Sequence, residues 1–202
     1  MEAFTMKNFA ITLSIIVLIL ILSVGIFYGT INSTYKNLAQ LEENISLQYA
    51  QVEANLQRRV DLLPNYFETV KGQMEHDEAL VAMIAEGRAN VISAMKSGDM
   101  AQTNEAMANY DVAVDNYMNF VIENYPELSA GQAFQDLRDE LAGTENRIAV
   151  SRQYYNEAVN PYNSARKNGL FATIVANLMG FKEAEYFESA SGSETAPTFS
   201  FD

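Results

Sequence analysis

From Leu38 onward an apolar stripe runs through positions 38, 41, 45, 49, 52, 56, 60, 63, 67, 70 and 74, every gap being three or four. That spacing is one face of a helix. Most positions between are polar, among them Glu42, Glu43, Gln51, Glu53, Gln57, Arg58, Asp61, Glu68 and Lys71. The phase passes through Pro64 unshifted, since Val60, Leu63 and Phe67 stay in register. The pattern therefore predicts one long helix over about 35–96, kinked at Pro64. A proline there removes a backbone hydrogen bond, at a cost of roughly 3 kcal/mol unless something compensates.

The stretch KSGDM (96–100) supplies Gly98 and Asp99 for a loop. A second helix is predicted over about Met100–Asn124, with Met107, Tyr110, Val114, Tyr117 and Val121 on one face. Pro126 ends it, and Ser129 is the expected cap of the next helix. That third helix, about 130–167, aligns Phe134, Leu137, Leu141, Thr144, Ile148, Ser151, Tyr155, Ala158 and Tyr162 on a seam suited to coiled-coil-like antiparallel packing. Pro161 predicts a bend near its end. LFATIVANLMGF (170–181) is too short to span a bilayer and reads as a core helix closing one end of the bundle, with an amphipathic membrane contact as the alternative. The last residues, SASGSETAPTFSFD, are small and polar and read as disordered, with TFSFD as a candidate docking tag.

The N-terminal run is apolar without period. No charged residue lies between Lys7 and Lys36, and Phe9 to Tyr28 form about 20 nearly continuous apolar positions, enough to cross a bilayer. A cleaved signal peptide is the competing reading, but its apolar core should be shorter and followed by small residues. Phe27 and Tyr28 stand where those would be and suit an interfacial belt instead. The expectation is a retained single-pass anchor. The few flanking basic residues lean toward an inside N-terminus.

Composition removes several functions. The chain of 202 residues carries a net charge of −13, which repels phosphate backbones and argues against nucleic-acid binding. With no cysteine there is no disulfide and no thiolate metal site. The single histidine, His76, lies in EHDE (Glu75–Glu78), and consecutive helical residues diverge by about 100°, so the four cannot converge on one ion. A di-metal bundle site needs more histidines than this. No G-x-S-x-G elbow, Walker loop or G-x-G-x-x-G turn is present. Tyr154 and Tyr155 read as bundle core. Arg58 and Arg59 form either an anion-binding surface or internal ion pairs, for example Arg58 with Glu53 or Asp61; Arg147 and Arg152 can pair similarly with Glu145 or Glu157. No catalytic, cofactor-binding or metal site is predicted.

Three blocks, QRRVDLLPNYFETVKG (57–72), ENYPELSAGQAFQDLRDELAGTENRIAVSRQYYNEAV (123–159) and MGFKEAEYFE (179–188), resemble the LemA family. The family's usual YN…FP run is absent, because NPYNSARKNGLFA has Pro161 earlier and no Phe-Pro. The resemblance implies a bacterial membrane-anchored antiparallel helical bundle without an agreed biochemical activity. It also implies a short outside N-terminus and a cytoplasmic bundle, opposite to the charge count, and a family association with building intracellular membrane organelles.

The combined expectation is an all-α chain. It comprises a short N-terminal segment (1–8), a transmembrane anchor (9–30), a LemA-like long-helix antiparallel bundle (31–188) and a disordered tail (189–202). The bundle has three main helices plus a short C-terminal helix. The expected role is a non-catalytic scaffold at the bacterial cell membrane, held in lipid through residues 9–30, that self-associates as a homo-oligomer and organises or remodels the membrane. The alternative is a tethered binding module offering its acidic surface or tail to a membrane-protein partner. No cofactor is expected.

Overall fold

A computed structural model of the chain describes residues 2–69 and 78–187, with side chains over 13–69 and 79–187. Every regular element in it is α-helical: α1 (Glu2–Thr69), α2 (Glu78–Ser97), α3 (Met100–Asn124), α4 (Pro126–Ser129), α5 (Gln132–Lys167) and α6 (Leu170–Met179). The all-α fold and the long apolar N-terminal helix agree with the expectation. The single helix expected over 35–96 does not occur. Arg88 on α2 hydrogen-bonds Asp61 on α1 at 2.7 and 2.9 Å, whereas 27 residues of one helix would hold them about 40 Å apart. Two antiparallel helices replace it, and an unbroken hydrophobic phase is no evidence of an unbroken helix. His76, the acids Glu75 and Asp77, and the TFSFD tail lie outside the described residues.

The chain divides into two compact units. The larger comprises Ser46–Asn156 together with Tyr186–Asp202. Pairs between α1 and α5 run in opposite order, Tyr49 with Tyr155, Asn55 with Arg147 and Tyr66 with Phe134, so these helices are antiparallel. Val60 with Tyr110 and Phe67 with Tyr117 increase together, so α1 and α3 are parallel. With α2 antiparallel to α1, the unit is an up-down-up-down four-helix bundle. Its core includes Val52, Leu56, Leu63, Ile84, Val91, Tyr117 and Phe134. All nine α5 seam residues are buried, as are all five predicted on α3.

Local chemistry sets the corners. Gly98 adopts φ 71°, the left-handed region that favours glycine, and Asp99 caps α3 by accepting from the Gln102 amide at 3.0 Å. Pro126 opens α4 at its first turn. Ser129 closes α4, its hydroxyl on the Pro126 carbonyl, instead of capping α5 as expected. Tyr155 is buried, but Tyr154, one residue or about 100° away, is exposed and not core.

The smaller unit comprises Met1–Ile45 and Glu157–Glu185. Leu38, Ile45, Val159, Tyr162, Val175, Ala176 and Phe181 are buried in it. The apolar run of α1 is long enough to cross a membrane, and none of that window is buried against protein. Inside it Ser23 donates to the Leu20 carbonyl at 2.8 Å, and Thr30 to that of Ile26 at 2.9 Å, so neither hydroxyl needs water. The helix α5 continues through Pro161. The short helix α6 ends on Gly180 in the left-handed conformation. It buries only Ala172, Val175 and Ala176, so the expected core helix holds for one face alone.

Candidate functional site

A set of polar contacts inside the larger unit lies on the turn of α1 that precedes Pro64. Having no N–H, Pro64 leaves the carbonyl of Val60, four residues earlier, without its helical donor. The Tyr110 hydroxyl donates to that carbonyl at 3.2 Å. Tyr110 and Val60 are both fully buried, so the replacement bond sits in a dry core. Burial pushes the Tyr110 phenol well above its ordinary pKa, which keeps the hydroxyl protonated and able to donate. Across the ring lies Gly87 of α2, where an added Cβ would stand 3.1 Å from Tyr110 Cδ2. The glycine lets α2 pass close against the ring.

The neighbouring residues make a second contact at this level. Arg59 is only 8% exposed, and its guanidinium bridges three helices. Nε donates to Asp111 at 2.9 Å on α3, and Nη1 to the Leu141 carbonyl at 2.8 Å and the Thr144 hydroxyl at 3.4 Å on α5. Consecutive residues of α1, Arg59 and Val60, thus meet consecutive residues of α3, Asp111 and Tyr110. Burial raises the Asp111 carboxyl, and the Arg59 guanidinium pulls it back. Asp61 accepts from Gln57 at 2.8 Å and from Arg88. Burial lifts the Asp61 carboxyl, but the bonds from Gln57 and Arg88 outweigh that and leave it below its ordinary value.

These contacts decide between the two readings of the arginine pair. Both arginines are spent inside the chain, but not on the local partners expected. Arg58 pairs with Glu140 of α5, and Glu140 also accepts from Arg147 at 3.0 Å. Arg152 donates to Asn104 at 2.9 Å and lies over the Phe187 ring at 5.4 Å. Arg58 thus bonds across to α5 and Arg152 across to α3, in place of the local pairing of Arg58 with Glu53 or Asp61, while Arg147 pairs within α5. The signal for Arg59 was its place within the run Leu56, Val60, Leu63, a cation on the buried face, which calls for a buried acceptor.

The C-terminal block is held by side chains imitating a strand partner. Asn156 donates to the Phe187 carbonyl at 2.9 Å and accepts from the Phe187 amide at 2.8 Å, in the larger unit. Asn163 does the same for Ala184 at 2.8 and 3.0 Å, in the smaller one, where Tyr162 also donates to the Lys182 carbonyl at 2.7 Å. Phe187 buries its ring against Tyr49 and Tyr155. Sequence reasoning missed both asparagines, because a lone amide on a helix carries no pattern.

As chemistry, this arrangement binds the chain to itself. Among the described residues no group of three histidine or acidic side chains is placed to hold a metal ion. An open depression of about 290 Å³ between α2 and α3 is lined chiefly by Asn90, Ser93, Gln102, Glu105 and Asn109, with no second titratable group beside Glu105.

Comparison with known proteins points the same way as the three sequence blocks. The chain is similar to magnetosome protein MamQ 2 of Paramagnetospirillum magneticum, 23% identical over 202 residues that span 89% of this chain and 74% of that protein. Magnetosome protein MamQ of Magnetospirillum gryphiswaldense is 21% identical over 197 residues, 87% of this chain and 72% of the relative. Protein LemA of Metamycoplasma hominis is 22% identical over 149 residues, 73% of this chain and 66% of the relative. The LemA family's sequence pattern matches residues 48–201, taking in the Pro64 brace, both asparagine clamps and the whole of α5, and the chain belongs to the LemA family.

Proposed function

We propose that this protein is a membrane-anchored, non-catalytic helical scaffold that self-associates in the bilayer plane and organises or remodels the bacterial membrane. The observation that carries the reading is α1, a single helix from Glu2 to Thr69. Its first part is an apolar span with no protein cover, and its last part supplies the Arg59–Pro64 brace of a bundle. A candidate anchor and a bundle helix carried on one element suit a structural part of a membrane. Relatives named as magnetosome proteins support the reading. Internal pairing of Arg59 with α3 and α5 adds to it, because that cation is committed to holding the bundle together.

The test is electron microscopy of the full-length protein reconstituted in liposomes, with a size measurement in mild detergent. Arrays, shells or tubes at the membrane are the expected result. Dispersed monomers that leave liposome shape unchanged would overturn the scaffold. The surplus of 26 acidic over 13 basic residues favours a second reading, a tethered module that captures a basic partner. Partner capture lost on deleting residues 189–202 would support that reading instead.

A further inference from the structure

The helix α6 has three faces. At 100° per residue, Leu170, Ile174, Leu178 and Phe171 fall within an arc of about 100°. They are 74%, 40%, 76% and 42% exposed, an unusual state for four large apolar side chains on ten residues. Ala172, Val175 and Ala176 occupy the next arc and are buried; Met179, at the C-terminal end of the same arc, is 55% exposed. Thr173 and Asn177 occupy the third and line a depression of about 210 Å³ with Arg166 and Lys167. Small residues thus face the protein, large apolar ones face outward, and the polar edge lies beside two cations. Both cations also pair with Glu183.

The place of this face identifies what covers it. Phe171 meets Phe27 edge-on, ring centroids 5.7 Å apart. Phe27 is at the C-terminal end of the uncovered apolar run of α1, followed by Tyr28, 71% exposed. The exposed arc of α6 therefore continues the apolar surface of the span at the level where a bilayer gives way to water. We propose that α6 is an interfacial helix whose Leu170–Phe171–Ile174–Leu178 face lies in the boundary between headgroups and acyl chains. Thr173 and Asn177, with the neighbouring Arg166 and Lys167, stand at headgroup level. This gives the protein a second lipid contact beside its span, and it rests on the reading of residues 9–30 as a membrane anchor.

The chain contains no tryptophan, so single-tryptophan variants report cleanly. Leu18→Trp marks the span; Leu178→Trp and Ile174→Trp mark the arc, two sites in case one disturbs folding. The full-length variants are reconstituted in phosphatidylethanolamine–phosphatidylglycerol vesicles carrying bromine either just below the headgroup or near the acyl-chain end. The α6 tryptophans should lose at least half their emission to the shallow bromine, more than to the deep one, and resist iodide. Leu18→Trp should respond more to the deep bromine. If Leu18→Trp is quenched while the α6 reporters are blind to bromine and open to iodide, the interfacial helix is refuted and the anchor stands. Reporters blind to bromine but shielded from iodide mean that protein, such as a second copy, covers the face, which also refutes it. If Leu18→Trp itself ignores both lipids, the anchor reading fails and α6 falls with it.

Discussion

The bond between the Tyr110 hydroxyl and the Val60 carbonyl can be isolated by a double-mutant cycle with Pro64. Tyr110→Phe keeps the ring and removes only the donor. The carbonyl it leaves is fully buried and, because residue 64 is proline, has no N–H to turn to. A buried polar group stripped of its partner costs about 1–3 kcal/mol. The 3.2 Å separation is long for an O–H···O bond, which places the loss toward the lower half, about 1.5 kcal/mol. For a chain of this size that is a fall of about 3–6 °C in melting temperature. On a Pro64→Ala background the restored amide supplies the helical bond, and the same substitution should cost less than about 0.5 kcal/mol, a coupling of about 1 kcal/mol. The assay is thermal unfolding of the four full-length proteins in mild detergent, followed by far-ultraviolet circular dichroism. Equal losses from Tyr110→Phe on both backgrounds, or none on either, would show that the hydroxyl does not stand in for the missing amide.

Three further outcomes follow from the same geometry. Arg59→Ala strands the half-buried Asp111 and empties a core position, so it should cost about 3–5 kcal/mol in the same melts, while Arg58→Ala, at a surface pair, should cost under about 1 kcal/mol; similar values for the two would refute the assignment of Arg59 to the interior. The Asp61 carboxyl lies below its ordinary value when folded, so its stabilising part is complete above about pH 4 and is lost as pH falls through the lowered value. The melting temperature of Asp61→Asn should therefore drop less steeply than wild type between about pH 4 and pH 2, and parallel curves would count against it. Asn163→Ala removes both bonds to Ala184 and should speed tryptic cleavage after Lys182 several-fold, with no change expected at Lys36; unchanged cleavage at Lys182 would mean the segment is held by other contacts.

Sequence patterning was most informative where one seam faced one partner set. The α3 and α5 positions spaced by three and four are all buried, because each helix of a bundle turns a periodic face inward. Patterning was weakest at the end of α1. There the phase of Val60, Leu63 and Phe67 carries on to positions 70 and 74, so periodicity could not reveal that a new helix, α2, returns along α1. Arg59 was hidden for a different reason. A charge in a seam is legible only when its acceptors are known, and Asp111, Leu141 and Thr144 lie at least 52 residues away. In α6 the composition pointed to burial, yet size sorted the residues, with alanines and one valine inside and the leucines out. Hydrophobicity alone does not distinguish a protein core from a lipid one.

The Tyr110 repair also has a consequence in time. The donor is encoded 50 residues after the acceptor. At about 5–20 residues per second, a ribosome completes Val60 several seconds before it makes Tyr110. During that interval the nascent helix carries an open carbonyl just ahead of its proline, a weak point at which it can bend or fray. Until α3 is made, just past the middle of the chain, the joint at Pro64 lacks its replacement bond, so this part of α1 gains its rigidity only from a helix made after it.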